Sequence, residues 1–415
     1  MKVLKIKDIV RTISITHKFD KDKLIAINTS DVENGIMHDG TLTAIEDLKG
    51  QFKKTVQKGD ILFSEIRPAN RRFALVTKDD CADYVVSTKL MVLRKYNNEV
   101  DLRYFYYCLT NQPFLDMLQR KAENRIGSFP QITFDLLSEY AFPVPSLSEQ
   151  EKIANIIFSL DHKIELNKQI NDNLEAMAKQ LYDYWFVQFD FPNEDGKPYK
   201  SSGGAMVYNE RLKRDVPVGW QVENLIDFAE IKNGATPSTT DDANYGGDIV
   251  WITPKDLSDQ QSKFVYQGER NITKQGFDSC STSMLPTNSV LMSSRAPIGL
   301  VSIAKHEVCT NQGFKSFIPK NIENSIYLYY YIKHHIKQIE QLGTGTTFKE
   351  VSRDDLCKFP ILVVGANEAY KQWIELQDEI ANKQFVLTKE IAVLTKQRDE
   401  LLPLLMNGQA VVNSD

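Results

Sequence analysis

Residues 147–190 read LSEQEKIANIIFSLDHKIELNKQINDNLEAMAKQLYDYWFVQFD and carry the helical pattern that decides the fold. Side chains recurring in alternating steps of four and three residues predict a coiled-coil seam, because a 3.5-residue period keeps one stripe facing a partner helix. A helix over 153–185 would span about 50 Å at 1.5 Å per residue. The predicted seam consists of Ile153, Ile157, Leu160, Ile164, Asn167, Asn171, Leu174, Ala178, Leu181 and Trp185.

The same pattern returns 220 residues later. Each seam position of the first helix has a counterpart at this offset, so residues 366–409 predict a second long helix. Pro403 and Gly408 mark its expected end. The second predicted seam consists of Trp373, Gln377, Ile380, Gln384, Leu387, Ile391, Leu394, Arg398, Leu401 and Leu405.

The regions in front of the two helices also resemble each other. Short matches occur in the same order in both, namely 27–32 with 252–257, 62–67 with 291–295, 105–107 with 329–331 and 142–144 with 359–361. Both regions contain short runs of strand-forming residues, which predict a mixed α+β class. An internal duplication explains the shared order; the alternative is two unrelated α+β domains with generic helical linkers.

A duplication predicts two pseudo-symmetric globular heads joined by two long antiparallel coiled-coil helices. A lone amphipathic helix of this length cannot bury its stripe, and the other helix of the same chain is the simplest partner. The predicted divisions are a first head at 1–146, a spacer helix at 147–190 with Ser148 as its N-cap, a polar linker at 191–219, a second head at 220–365, a C-terminal helix at 366–409 and a tail at 410–415.

Asn167 and Asn171 are polar residues at seam positions. Buried asparagines fix the register of a coiled coil at some cost in stability. The alternative is that both face solvent at a helix edge, and the sequence leaves the two interpretations open.

The net charge of −5 is unevenly distributed. It amounts to +3 over 1–146, −4 over 147–190, −1 over 191–365 and −3 over 366–415. Acidic helices repel phosphate and suit protein partners or a spacer role, whereas the near-neutral heads can contact an anionic ligand. This distribution excludes a uniformly basic nucleic-acid coat protein.

Several other classes of protein are also disfavoured. With 42% hydrophobic and 25% charged residues, the composition is that of a globular protein. We expect no membrane segment and no secretory signal, because no apolar run has the required length. The five scattered cysteines form no CxxC pair, and the adjacent His334 and His335 lack metal-ligand spacing. P-loop, GxSxG and HExxH motifs are missing from the sequence, so we predict no catalytic residues and no metal site.

Two pairs of loops are candidates for contact with DNA. The first pair follows an apolar run in each head, and its arginines and serines suit base edges and phosphates. The second pair combines glycine with hydroxyl groups. The alternative is solvated turns or loops shaped by packing. The candidates are Ser64, Arg67, Arg71, Arg72, Arg125, Ser128 and Gln131 in the first head, and Ser293, Ser294, Arg295, Thr346 and Lys349 in the second.

The chain resembles the specificity subunit of type I restriction–modification systems. Residues 143–153 resemble the start of that family's central helix, and 185–192 resemble its end. Residues 216–220 resemble the start of the second target-recognition domain, and 401–409 are similar to the C-terminal signature. The second half departs from the pattern, because it lacks the Pro-x-Leu-x-Glu-Gln start of the first helix.

The resemblance implies a non-catalytic subunit that reads a split sequence in double-stranded DNA, one half-site per head. It also implies two modification subunits, which bind S-adenosylmethionine and methylate adenine, and restriction subunits that use ATP and Mg. This chain itself would bind no cofactor and would act in a bacterial or archaeal cytoplasm. The alternatives are a structural coiled-coil adaptor, the specificity subunit of a related methyltransferase-only or other restriction system, and an enzyme with degenerate motifs.

Overall fold

The structure is a computed structural model that describes residues 2–48, 50–124, 130–260, 262–295, 297–345, 349–364, 368–406 and 409. Its contacts divide the chain into two compact units. The first unit comprises 1–168 with 389–415, and the second comprises 169–388. Each unit therefore contains one head together with a part of both long helices.

Short strands and helices build the head of the first unit. Its helices are α1 (Leu102–Thr110), α2 (Gln112–Glu123) and α3 (Phe134–Ser138), followed by the long helix α4 (Leu147–Tyr182). Its strands are β1 (Lys2–Lys5), β2 (Val10–Thr12), β3 (Lys23–Ile27), β4 (Val32–Glu33), β5 (Ile36–Met37), β6 (Thr41–Ala44), β7 (Phe52–Lys54), β8 (Ile61–Ser64), β9 (Phe73–Leu75), β10 (Tyr84–Ser87), β11 (Leu90–Lys95) and β12 (Ala141–Val144).

The second unit repeats this composition. Its helices are α5 (Leu225–Phe228), α6 (Pro254–Gln260), α7 (Lys274–Asp278), α8 (Ser325–His334), α9 (Ile336–Gln341) and α10 (Arg353–Lys358), followed by the long helix α11 (Glu368–Met406). Its strands are β13 (Met206–Asn209), β14 (Arg214–Pro217), β15 (Gln221–Asn224), β16 (Ala229–Asn233), β17 (Tyr245–Ile252), β18 (Phe264–Val265), β19 (Asn271–Ile272), β20 (Val290–Ser293), β21 (Val301–Ala304), β22 (Cys309–Thr310), β23 (Phe314–Pro319) and β24 (Pro360–Val363).

The two heads share one topology. The sheet β2-β11-β8-β9 corresponds to β16-β23-β20-β21, to which β18 is added. A parallel pair flanked by an antiparallel strand occurs in both heads, as β10-β3-β6 and as β22-β17-β19. The two-stranded sheets β1-β12 and β15-β24 also correspond. The predicted α+β class with two similar heads is confirmed.

Helix α4 begins with a reciprocal cap. The Ser146 backbone N–H donates to Glu149 Oε2 at 3.0 Å, and the Glu149 N–H faces Ser146 Oγ at 3.4 Å. Such a capping box satisfies two backbone donors that a helix start leaves without partners. The predicted N-cap Ser148 was therefore wrong by two residues, because it lies inside the helix.

The two long helices pack antiparallel in the first unit. Ile153, Ala154 and Ile157 of α4 share a buried cluster with residues of the C-terminal end of α11. One turn further along α4, Arg398 Nη1 donates to Asp161 Oδ1 at 2.9 Å. Ile164 and Leu394 are also buried, and Leu160 and Ile391 are half-buried. The members of the cluster from α11 are Leu402, Leu405 and Met406.

The seam prediction is wrong at Leu401. This side chain is 36% exposed, whereas the next residue, Leu402, is 7% exposed and belongs to the core. The last turn of α11 also packs on head residues such as Tyr104 and Cys108. The buried face therefore shifts by one residue, since a strict 3.5-residue period holds only where a helix contacts one straight partner.

The helices are also antiparallel within the second unit. Gln377 Nε2 donates to the Ala178 carbonyl at 3.0 Å, and Gln384 Nε2 donates to the Asn171 carbonyl at 3.4 Å. A π-helical turn over Asp183–Val187 follows α4. Tyr182 at the end of α4 and Trp185 in this turn both belong to the core of the second unit. The predicted seam residues Leu174, Leu181 and Leu387 are half-buried, and Ile380 is buried.

The two seam asparagines differ. Asn167 is only 8% exposed, so the solvent-facing interpretation is wrong for this residue. Its Nδ2 has no hydrogen-bond partner among the described residues, and the same holds for Oδ1 of the half-buried Asn171. Buried polar groups without partners are costly, which fits a role in pairing specificity better than one in stability.

The predicted polar linker at 191–219 is not a linker in the structure. Its strands β13 and β14 form an antiparallel hairpin. Phe191 is 7% exposed and stacks on Trp220 with a ring-centroid distance of 5.1 Å. Val216 also belongs to the core of the second unit. The Gly, Pro and Ser content of this segment correctly indicated turns. It did not indicate that aromatic residues such as Phe191 would pack in the core.

Candidate nucleic-acid interface

The first candidate loop of the first head follows strand β8. Ser64 at its start is 3% exposed, and its hydroxyl is bonded to the backbone of Ile66 at 3.1 Å. It therefore stabilises the loop from inside, and this structure does not present it for the predicted DNA contact. Arg67 is exposed at a left-handed backbone position (φ 47°), and its N–H donates to the Pro130 carbonyl at 3.0 Å.

Arg71 is committed to the protein. Its Nε donates to Asn34 Oδ1 at 2.7 Å, Nη1 donates to Gln112, and the guanidinium lies 5.5 Å from the Phe73 ring centre. Burial, together with the nearby Arg398, lowers the pKa of Arg71. This arginine joins loop, sheet and helix, so it has a packing role in the structure, and its predicted contact with DNA stays a prediction.

Arg72 is also partly engaged. Its Nη1 donates to the Ser30 carbonyl at 3.2 Å and lies 3.4 Å from Glu33. Of the three arginines in 67–72, Arg67 is therefore exposed, whereas Arg71 and Arg72 stabilise the loop.

The corresponding loop of the second head follows strand β20. Ser293 and Ser294 are fully buried. Ser293 Oγ donates to the Pro297 carbonyl at 2.6 Å, and Ser294 Oγ donates to the Gly313 carbonyl at 3.2 Å. Both hydroxyl groups bond to backbone carbonyls in the interior, so this structure does not present them for the predicted DNA contact.

Arg295 is exposed and tethered. Its Nε donates to Glu350 Oε2 at 3.0 Å, and Lys315 Nζ lies 3.2 Å from the other carboxylate oxygen. Partial burial acts to raise the pKa of Glu350, but the bonds from Lys315 and Arg295 outweigh it, and the pKa lies below its ordinary value. The Glu350 carboxylate orients the guanidinium of Arg295 through Nε and leaves the other N–H groups of the guanidinium available.

The second pair of candidate loops is described only in part. Arg125, Ser128 and Thr346 lie outside the described residues. Gln131 is half-buried, and its Nε2 donates to Glu65 Oε2 at 2.9 Å. Lys349 is exposed.

The structure brings the two candidate loops of each head together. In the first head, the Ile132 N–H donates to the Glu65 carbonyl at 2.7 Å. In the second head, the Val351 N–H donates to the Ser294 carbonyl at 3.0 Å. Loops far apart in sequence thus form one surface at the same topological position of both heads. Among the described residues of these loops, the exposed cationic side chains are Arg67 in one head and Arg295 and Lys349 in the other.

Sequence reasoning missed the polar clusters that tie each head to the helices. In the first unit, the Tyr107 hydroxyl donates to Asp161 Oδ2 at 2.9 Å, and Asp161 also binds Arg398. In the second unit, the Tyr330 hydroxyl lies 3.2 Å from Glu175 on α4. Both tyrosines lie near the middle of a helix, α1 or α8, within the segments 105–107 and 329–331 that resemble each other in sequence.

Lys263 is the centre of the cluster in the second unit. Its ammonium contacts Glu175 Oε2 at 2.8 Å, the Tyr330 hydroxyl at 2.6 Å and Gln384 Oε1 at 2.8 Å. Burial lowers its pKa, and Glu175 opposes that effect. The cluster borders a cavity of about 400 Å³ with a mixed polar and apolar lining. Lys263 has bonding partners on α4, α8 and α11. We therefore interpret it as a structural residue that connects these helices, and not as a catalytic lysine.

Within the described ranges, His, Cys, Asp and Glu side chains form no cluster that could hold a metal ion. In the same part of the chain, the helices lack an apolar stretch long enough to cross a bilayer.

Comparison with known proteins identifies the family. The family profile described as "Type I restriction modification DNA specificity domain" matches residues 1–176 and 217–403. The Type I restriction enzyme HindI specificity subunit of Haemophilus influenzae is 32% identical over 97% of this chain and 98% of its own length. The Type I restriction enzyme MjaIX specificity subunit of Methanocaldococcus jannaschii is 40% identical over 38% of this chain and 37% of its own length.

The fold agrees with a solved structure as well. The type I restriction–modification S subunit from M. genitalium has a TM-score of 0.59, with 14% identity over 100% of this chain and 96% of its own. The profile covers both heads and both long helices, so the resemblance seen in the sequence is confirmed. The chain belongs to the family of type I restriction–modification DNA specificity subunits.

Proposed function

We propose that this chain reads a split, asymmetric sequence in double-stranded DNA, with one half-site contacted by each head. One observation carries the proposal. The same paired-loop surface occurs in two topologically equivalent heads, with Arg67 exposed in one and Arg295 in the other. Arginine is the residue best suited to the paired acceptors of guanine and to phosphate. The loop residues around the two arginines differ, as reading two different half-sites requires.

The proposed role is non-catalytic. The chain would dock two modification subunits, which bind S-adenosylmethionine and methylate adenine, and restriction subunits that use ATP and Mg. The net charges of −4 over 147–190 and −3 over 366–415 support protein partners along the helices. The names of the relatives, each a specificity subunit of a type I restriction enzyme, support the same assignment. The expected compartment is a bacterial or archaeal cytoplasm.

Methylation mapping tests the proposal. The chain is co-expressed with its modification subunit in a host without other adenine methylation, and methylated adenines are located by sequencing. We expect one split motif with an unread gap. Methylation by this chain alone would support an enzyme, and absence of DNA protection with and without the partner would support a structural adaptor.

A domain exchange tests the assignment of half-sites. Replacing residues 1–146 by the first head of a relative should change one half of the motif and leave the other half and the gap unchanged. Deleting one heptad from each long helix should shorten the gap, if the roughly 50 Å spacer measures about 1.5 turns of B-DNA. A change in both halves after the head exchange contradicts the one-head, one-half assignment.

A further inference from the structure

An open cleft in the second head lies outside both candidate loop pairs. It has a volume of about 580 Å³ and lies between the start of β17 and the loop that leads into β19. Polar side chains and glycines line it, among them Gln267, Arg270 and Asn271. A Cβ at Gly268 would lie 2.5 Å from the Trp251 carbonyl oxygen, so only glycine fits where the loop crosses the strand.

Arg270 is held at this cleft by an aromatic ring. Its guanidinium carbon lies 4.2 Å from the centre of the Tyr245 ring. The ring is anchored in turn, because the Tyr245 hydroxyl donates to the Pro237 carbonyl at 3.0 Å and the Tyr245 and Trp251 rings form a T-shaped pair with centroids 6.0 Å apart. Stacking restrains the plane of a guanidinium and leaves the N–H groups around its edge available.

The donors of Arg270 are uncommitted, unlike those of the other arginines in this head. Arg211, Arg214, Arg295 and Arg353 each donate to a carbonyl or side-chain oxygen. Arg270 makes no hydrogen bond or ion pair with any residue that the structure describes. The neighbouring Glu269 does not neutralise it, because that carboxylate lies 2.7 Å from Lys255 Nζ.

The segment that carries Arg270 distinguishes the two heads. In the first head, Gly40 crosses the matching strand, where a Cβ would lie 2.3 Å from the Ala26 carbonyl oxygen, and β6 begins at the next residue. In the second head, Glu269 and Arg270 intervene between Gly268 and β19. A glycine that crosses the neighbouring strand occurs in both heads, whereas the arginine that follows it occurs in the second head. A residue that contributes to reading one half-site has to differ between heads in this way.

We propose that Arg270 reads a guanine in the half-site of the second head, with two N–H groups directed at O6 and N7 from the major groove. A bidentate arginine is the commonest specific contact to that base, and it needs a restrained guanidinium with free donors. The inference rests on the proposed function and adds to Arg295 a second reading residue on a separate loop.

Methylation mapping of Arg270→Ala in the complex with the modification subunit tests the inference. We expect one guanine of the second half-site to become degenerate, with the first half-site and the gap unchanged. Binding to the wild-type target should weaken by about 5- to 150-fold, whereas binding to a duplex altered at that base pair should change little. Arg270→Lys should give the same loss of discrimination, since lysine keeps the charge without the planar fork.

Lys274→Ala is the matched control. This cation lies four residues away, is 75% exposed and forms an i,i+4 pair with Asp278. The control should leave the motif unchanged. If Arg270→Ala weakens binding to all sequences equally, or if both variants behave alike, Arg270 contacts phosphate or contributes only to the general field, and the reading role is overturned. A wild-type complex without a split motif would instead reject the proposed function itself.

Discussion

The ammonium group of Lys263 lies 2.8 Å from the Glu175 carboxylate, and this ion pair connects the head of the second unit with helix α4. The Lys263 side chain is 5% exposed and that of Glu175 is 30% exposed. A charge so deeply buried has to be paired, because its desolvation is otherwise uncompensated.

Lys263→Met should destabilise the second unit. It leaves Glu175 facing the cavity with the more distant Lys333 Nζ, 3.9 Å away, as its cation. We expect a loss of about 2–3 kcal/mol, below the roughly 3–5 kcal/mol of fully buried pairs, because Glu175 keeps this second partner and some contact with water. Urea unfolding followed by tryptophan fluorescence measures it. Adding Glu175→Gln should restore part of the loss. Lys179→Ala, which breaks the exposed i,i+4 pair with Asp183, should cost no more than about 0.5 kcal/mol.

Two leucines of α11 offer a matched test of the seam in the first unit. Leu405 is 6% exposed and Leu401 is 36% exposed. Leu405→Ala should cost about 2–5 kcal/mol through lost burial and the cavity left behind, whereas Leu401→Ala should cost well under half of that. Thermal unfolding of both variants measures the two losses of stability. Equal losses would mean that the strict 3.5-residue seam predicted from the sequence describes the helix end better than the observed burial does.

His335 should make the stability of the second unit depend on pH. Its ring stacks on Tyr331 at 4.1 Å, and burial lowers its pKa to about 4, with smaller contributions from His334 and Arg214 against the bond to the Tyr331 carbonyl. The unfolded chain binds a proton below about pH 6.5, but the folded chain binds it only near pH 4. Unfolding free energy should therefore fall as the pH drops from 6.5 to 4.

His335→Gln isolates this contribution. It should flatten the pH dependence of the unfolding free energy between pH 6.5 and 4. Urea titrations at half-unit pH steps measure it. A wild-type curve and a His335→Gln curve of the same slope would show that the imidazole does not titrate differently in the folded state.

Arg67 and Arg295 should both contribute to DNA binding by the assembled complex. Each Arg→Ala substitution should weaken binding by about 1–3 kcal/mol if the side chain reads a base. Fluorescence anisotropy at constant salt provides the measurement, and the altered motif position should lie in a different half-site for each variant. Ser294→Ala serves as a control for local packing, because its hydroxyl is turned inward. Unchanged affinity for both arginine variants would remove them from the interface.

The sequence predicted the helices well and the directions of the loop side chains poorly, for a physical reason. Helical seams follow from a local period, so most of the predicted seam is buried or half-buried, and Leu401 fails where head residues replace a single partner helix. Contact residues depend on side-chain direction. Ser64, Ser293 and Ser294 look like hydrogen-bond donors on a loop, yet they bond backward to carbonyls that lie close only after folding.

Arg71 and Arg270 likewise show that the local sequence does not predict whether the donors of an arginine are available. Arg71 stands in an arginine-rich run and is committed to Asn34 and Gln112, which are distant in sequence. Arg270 stands in an inconspicuous loop and has its donors available. Charge density along a chain does not indicate which cations the fold leaves unpaired.

The glutamines between the long helices bear on the choice of pairing partner. A duplicated chain contains two helices of similar pattern, so each has an alternative partner in its own counterpart from another molecule. The bonds from Gln377 to the Ala178 carbonyl and from Gln384 to the Asn171 carbonyl form only when α11 lies against α4 in the observed register. Like helices placed side by side would bury these amides without acceptors. Gln377 and Gln384 thus favour pairing of α11 with α4 of the same chain over pairing of like helices from different chains.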